Sequence, residues 1–288
     1  MNKLQLPAYD DSAAFDNLSK NQLLGSYPKL QPLVGCVQAS YAQYEAVHGA
    51  PTLVQNHPIS AEAAAFLKRH YASPPADLAY ITEMRESTEH LICPMCGSMH
   101  SGTLDHYLPK NGFPIFSIFT KNLVPACKCN SKRKETLIGA NPGERVLHPY
   151  FDDCLHERLV SARFEDLGEV PKVSLVLLIS NTHPLHPAIA FHVRSIVQRS
   201  AIAKYLADRW SSLLRKPSLV VRAFADNIAT QTGVRALLEE ERDTLDDLHK
   251  GKNNWNSIFI SGLLDPPATT WIAAKLARPG RVPGSGLV

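Results

Sequence analysis

The chain has 288 residues, 44% hydrophobic and 20% charged, with a formal net charge of +3, the balance of a globular protein long enough for one large or two modest domains. Its longest apolar run, VSLVLLI, is too short to cross a bilayer, and the first residues, MNKLQLPAYDDSAAFD, lack the apolar centre of a secretory signal. These features exclude a membrane protein and predict a cytoplasmic one, where clustered cysteines point to metal or catalysis rather than to disulfides.

In chain order, residues 12–92 read as helices separated at Pro28, Pro32, Gly49, Pro51, Pro58 and Pro74-Pro75. The last break is the clearest helix start: Ser73 caps, Pro74 suits the first turn, and Leu78, Ile81, Met84, Thr88 and Leu91 recur at helical spacing, so that this helix delivers Cys93. From 101 to 135 the pattern shortens into strand-like GTLDHYL and NLVPAC, then a short helix from Asn130. LVSARFED and KVSLVLLI predict a hairpin across LGEVP. Beyond 184 the chain turns helical again, with Ile189, Val193, Ile196, Leu206, Trp210 and Leu213 on one stripe, and an acidic helix spans 234–249. The tail ARPGRVPGSGLV is expected to be disordered. The predicted fold class is mainly α with a small α+β core: a helical region at 1–89, a cysteine-bearing module at 90–155, a hairpin with helices at 156–277 and the tail at 278–288.

Four of the six cysteines fall between 93 and 129. Cys93 and Cys96 form C-x-x-C, and Gly97 permits the tight turn that aims both thiolates at one ion. Cys127 and Cys129 supply a second, tighter C-x-C pair, and four thiolates close a tetrahedral structural Zn²⁺ site that contributes folding energy directly. His100 is an alternative ligand, and Cys36 and Cys154 read as small core residues. Lys and Arg outnumber Asp and Glu 7 to 3 in residues 93–150, against 6 to 9 in residues 1–92, so positive charge gathers in the cysteine segment.

The succession C-P-M-C, L-D-H-Y-L-P-K and N-L-V-P-A-C-K-C-N-S-K-R-K resembles the HNH nucleases of the ββα-metal fold. The resemblance implies an endonuclease hydrolysing phosphodiester bonds, DNA being the expected substrate. It implies His106 as general base, Asp105 and Asn130 on a catalytic Mg²⁺ or Mn²⁺, and Asn122 holding His106 or its loop by hydrogen bonds. The residue types suit that chemistry, because a divalent cation neutralises a phosphate and the departing oxygen while an imidazole accepts a proton near neutral pH. An amide is a poor cation ligand, so His148 is a candidate for additional help. Lys121, Lys128, Lys132, Arg133 and Lys134 are expected to meet phosphates without sequence preference.

Phe113, Phe116 and Phe119 are assigned to packing beneath the metal loop, and His183, His186, His192 and the three tryptophans to helix packing. The run VLHPYFDDCLHERL is similar to HNH proteins of prokaryotic antiphage defence systems, Septu-like and retron-associated, which implies an ATPase partner. EEERDTLDD reads as an exposed helix face. Two other readings compete with the nuclease: a catalytically inactive zinc-stapled nucleic-acid-binding module, and a partner-docking protein whose zinc is purely structural.

Overall fold

The computed structural model describes residues 1–87, 91–226 and 230–288. Four helices come first: α1 (Asp11–Lys20), α2 (Val34–Ala46), α3 (Ala61–Ala72) and α4 (Ala79–Glu86). Short polar caps start two of them, with Asp10 accepting from the Ala13 amide and Ser60 from the Ala63 amide. The helix expected to run on to Leu91 ends earlier. Its first turn is a 3-10 turn at Ala76–Leu78, α4 stops at Glu86, and Leu91 is 70% exposed. Leu78 and Ile81 do face the core, whereas Thr88 lies outside the described residues.

Strands β1 (Thr103–His106) and β2 (Leu123–Ala126) pair antiparallel, with Asp105 opposite Val124 and His106 opposite Leu123, and α5 (Cys129–Lys132) adds one helical turn. A second antiparallel pair, β3 (Val160–Glu165) and β4 (Lys172–Leu177), forms the expected hairpin. The helices α6 (His186–His192), α7 (Ile202–Arg215), α8 (Gln231–Leu248), α9 (Trp255–Leu263) and α10 (Pro266–Leu276) complete a fold that, among the described residues, is mainly helical with two small sheets. A π-helical turn, Val193–Val197, follows α6 directly. Among the described residues, no helix is long and apolar enough to cross a membrane.

The core is continuous across these elements. α9 lies directly on β3, and Gly262 makes this possible: a Cβ there would sit 2.7 Å from that of Ala162. Phe116 and Phe119 are core residues, fully buried against Tyr41 and Tyr44 of α2 with the Tyr41 and Phe119 rings stacked at 4.2 Å, while Phe113 is half-buried. Trp210 is fully buried, its indole N–H donating to the Gly168 carbonyl at 2.8 Å. The acidic helix α8 buries Val234 and Leu238 and leaves Glu240, Asp243 and Asp247 exposed, while Asp246 pairs with Arg158.

The expected disordered tail is instead seated on the fold. Leu287 is 2% exposed, its amide donates to the Leu214 carbonyl at 2.8 Å, and the Gly284 amide donates to Ala225 at 2.7 Å. One buried leucine and two backbone bonds outweigh the composition of this segment, which is why composition misread it.

Among the described residues four imidazoles are buried without a carboxylate bonded to the ring, and desolvation lowers each: His148 to about 3, His192 and His106 to about 4, and His70, paired with the Ser26 hydroxyl, in the same direction. The unfolded chain binds these protons below about pH 6.5, so stability falls as pH drops through the window from about 6.5 to 4. Asp11 works in the opposite sense, because burial raises its carboxyl to about 6 and the native state holds that proton longer. The lowered imidazoles outnumber the raised carboxyl, so the net effect is a loss of stability as pH falls from about 6 to 4. Urea unfolding at pH 7 and at pH 5 is expected to show this loss; equal midpoints would mean that the imidazoles are not desolvated.

Candidate metal centre and adjoining cleft

The four cysteines come from two separate corners that the fold brings together. Cys93 and Cys96 lie on the turn after α4, and Cys127 and Cys129 at the end of β2 and the start of α5. Gly97 holds φ +81°, and a Cβ there would run into the Asn253 carbonyl and the Met1 nitrogen. The turn is gripped from outside by α9, where the Trp255 amide donates to the Gly97 carbonyl at 2.9 Å and its indole N–H to the Cys96 carbonyl at 2.8 Å. On another side, His192 bridges the Met95 carbonyl at 2.6 Å and the Leu147 amide at 3.0 Å. It therefore does more than pack a helix.

The sulfurs all lie within 4.8 Å of one another, with Cys93 to Cys129 at 3.6 Å and Cys96 to Cys127 at 3.5 Å. Zn–S bonds of about 2.3 Å in a tetrahedron set S···S edges of roughly 3.8 Å, so this cluster fits a metal such as zinc. The neighbouring sulfurs, Cys129 first and then Cys93 and Cys96, hold the Cys127 thiol well below its usual range, thiolate character that a cation complements. His100 is exposed and outside the cluster. Cys154 is buried and Cys36 half-buried away from it, as expected of core residues.

Beside the cluster, β1 ends at an open cleft of about 180 Å³ whose lining includes Asp105, His106, Lys110, Asn130, Arg133 and Lys134. The His106 ring is 5% exposed, and its Nε2 donates to the Ser117 carbonyl at 2.9 Å. A carbonyl only accepts, so the ring proton sits on Nε2 and Nδ1 keeps its lone pair. Burial, with Lys110 and Arg85 adding to it, lowers the imidazole and keeps it neutral at pH 7. The Tyr71 ring of α3 meets His106 edge-on at 4.3 Å, and Arg85 and Lys110 lie over the same tyrosine at 4.6 and 5.2 Å. Asp105 curls back so that its Oδ1 accepts from the His106 amide at 2.8 Å, while its Oδ2 accepts from Asn130 Nδ2, also at 2.8 Å.

Asn122 is fully buried and staples the loop that leads out of His106. Its Oδ1 accepts from the Leu108 amide at 2.7 Å, and its Nδ2 donates to the Leu108 and Phe116 carbonyls at 3.1 Å each. Replacing it by alanine leaves three buried backbone groups unpaired, an expected loss of about 3 kcal/mol. Urea denaturation of Asn122→Ala reads that loss directly, and a change within a few tenths of a kcal/mol would remove the staple from the account.

Several expected roles are corrected. Asn130 offers the cleft its NH₂ group rather than its oxygen, since Oδ1 is taken by Arg133 Nε at 2.7 Å. Arg133 is 2% exposed and bonded to the His106 and Tyr107 carbonyls, so it is scaffold and not surface for phosphates. Lys121 pairs with Glu45 of α2 and is largely covered. Lys128, Lys132 and Lys134 are exposed, and of these Lys134 lines the cleft. His148 has no lone pair to give, because Nδ1 accepts from the Tyr150 amide at 3.1 Å and Nε2 donates to the Tyr44 hydroxyl at 2.9 Å. Its neighbours are scaffold too, with Arg145 and Asp152 in a two-pronged pair at 2.6 Å per contact. Lys110, Tyr71 and Arg85 were not foreseen. Lys110 stands four residues after His106 inside LDHYLPK and was legible there, whereas nothing in the sequence ties Tyr71 or Arg85 to His106.

A larger cavity of about 440 Å³ lies between the β3–β4 hairpin and the corner joining α9 to α10, lined by Arg163, Glu165, Asp166 and Asp265 among others. It carries neither an imidazole nor a thiol, so the smaller cleft is where chemistry is placed. No protein-family model matches the chain. Over 76 residues it is 36% identical to Protein ea31 of Escherichia phage lambda. That stretch covers 25% of this chain and 26% of the phage protein, so the chain matches about a quarter of that relative's length. No solved structure matches.

Proposed function

We propose that the protein is a metal-dependent endonuclease of the HNH type, cleaving phosphodiester bonds of DNA at the cleft beside the four-cysteine centre. The observation that carries the reading is the state of His106: a neutral imidazole, fixed through Nε2 on the Ser117 carbonyl, with the Nδ1 lone pair free among the described residues and Asp105 next to it in one open cleft. A general base needs a held tautomer with an uncommitted lone pair, although burial, which lowers the ring to about 4, makes this imidazole a weaker base than a free one. His106 takes the proton of the attacking water at Nδ1. Asp105 supplies carboxylate oxygen to a divalent ion, Mg²⁺ or Mn²⁺, which when bound neutralises phosphate charge and the departing oxygen. Asn122 fixes the loop behind His106, and Asn130 holds Asp105 by its hydrogen bond. Lys110 and Lys134 lie where a phosphate backbone would approach, with Lys128 and Lys132 exposed nearby in sequence.

Zinc in the Cys93, Cys96, Cys127 and Cys129 site is structural in this reading, since four sulfurs leave no position open for substrate. The setting we propose, a cytoplasmic effector of a prokaryotic antiphage defence system acting with an ATPase partner, rests on the resemblance of residues 146–159 alone. Nicking of supercoiled plasmid by the purified protein in Mg²⁺ or Mn²⁺ tests the activity. Plasmid left intact in both ions, with DNA still retarded in a gel, would favour the inactive binding module instead, a reading to which the donor-forward Asn130 amide lends support.

A further inference from the structure

Behind the cleft lies a buried hydrogen-bond network with a direction to it. Asn130 is 4% exposed and Arg133 2%. Arg133 Nε donates to Asn130 Oδ1 at 2.7 Å, its NH2 group donates to the His106 and Tyr107 carbonyls at 3.1 and 2.6 Å, and its NH1 group to the Thr136 carbonyl at 3.2 Å. A guanidinium has no acceptor, so the amide must show Arg133 its oxygen. The NH₂ group is then turned forward, to Asp105 Oδ2 at 2.8 Å and the His106 carbonyl at 3.2 Å. Flipping the amide would set donor against donor in a buried site and unpair both. An amide nitrogen with both hydrogens engaged has no lone pair for an ion.

We infer that Arg133 is a positioning residue that keeps Asn130 out of the cation shell, so that the catalytic cation binds the free protein weakly and is held firmly only together with the phosphate oxygens of nucleic acid. This deepens the nuclease reading and rests on it. Charge supports the same conclusion. The acceptors around Arg133 are all neutral, Lys110 stands on the cleft wall, and Asp105 is the one carboxylate tied into this network. With Lys134 and Glu135 also on the lining, a divalent ion entering alone meets three cationic side chains and two anionic ones, whereas an ion arriving with a phosphodiester brings its own counter-charge.

The experiment is a Mn²⁺ titration followed by electron paramagnetic resonance, on purified protein with its four-cysteine metal in place, so that no turnover is needed. Asn130→Asp gives Arg133 one carboxylate oxygen and turns the other to the ion; it is expected to bind Mn²⁺ at least about tenfold tighter than the wild type, because ligand charge sets affinity in such sites. Adding Asp105→Ala to that variant is expected to abolish the gain. A DNA oligonucleotide is expected to tighten Mn²⁺ on the wild-type protein. Should Asn130→Asp fail to fold, Arg133→Lys withdraws the Nε donor, keeps the charge and is expected to raise Mn²⁺ affinity. Wild-type affinity equal to that of Asn130→Asp would show that Asn130 already serves as a ligand and would overturn the inference, as would a gain that survives loss of Asp105. These outcomes separate from the nuclease reading itself: the predicted Mn²⁺ pattern without plasmid nicking retains the role of Arg133 and sinks the activity, and nicking with equal Mn²⁺ affinities does the reverse.

Discussion

Cys93→Ser is expected to release the metal and unfold the segment around it. The wild-type chain should carry close to one zinc per molecule by elemental analysis, and the variant almost none. Structural zinc sites in small peptides bind with roughly 10–16 kcal/mol, and in segments without a core of their own that binding energy is folding energy. Here the two cysteine corners sit on strands of four residues each and one helical turn, and although Trp255 and His192 grip the first corner from outside, four ligands drawn to one ion add the bond that ties it to the second. Even a loss of about 4 kcal/mol would lower the melting temperature by roughly 10 °C, at the 2–4 °C per kcal/mol of a chain this size. New proteolytic cuts near residues 97–102 and 127–135 should accompany it. A serine variant that keeps full zinc, or a wild-type protein that holds none, would show that the sulfur cluster is not a metal site.

The second large effect concerns His106. If the imidazole is the base, His106→Ala should reduce plasmid nicking by about 10²–10⁴-fold while leaving zinc content intact. Removing a buried ring that meets Tyr71 edge-on at 4.3 Å will also cost some stability, so the assay belongs well below the melting temperature of the variant. Added free imidazole, small enough for the space vacated, should restore part of the rate in the alanine variant and none in Asp105→Ala. Nicking by His106→Ala at the wild-type rate would remove the base from the mechanism and leave the activity to some other group or to a contaminant.

What was legible in the sequence was whatever depended on spacing. C-x-x-C-G and C-x-C announced a four-sulfur cluster, because ligand geometry constrains near neighbours and the glycine turn is local. The strand pair around Asp105 and Asn122 and the hairpin across LGEVP were legible for the same reason. What failed depended on where side chains end up in three dimensions. Arg133 sits in a row of basic residues and looked like surface, yet it is buried against three backbone carbonyls, and only its position on the inner face of the turn distinguishes it from Lys132 and Lys134. His148 looked like a spare ligand, and it is committed at both nitrogens to Tyr44 and Tyr150, one of them a helix residue more than a hundred positions away. The tail misled through composition, since one leucine among prolines and glycines suffices to anchor it. Tyr71 meets His106, and Arg85 lies over Tyr71, from helices whose pattern speaks only of packing.

The indole and amide of Trp255, clasping the two carbonyls of the cysteine turn, bear on how this protein can be dissected. Residues 90–155 cut out as a minimal unit would lose that clasp, the His192 bridge and the Asp11 carboxylate that receives Thr120, and would present the bare underside of its sheet to water. Such a fragment is a candidate for aggregation rather than for assay, and mutagenesis of the whole chain is the route by which the cleft can be studied.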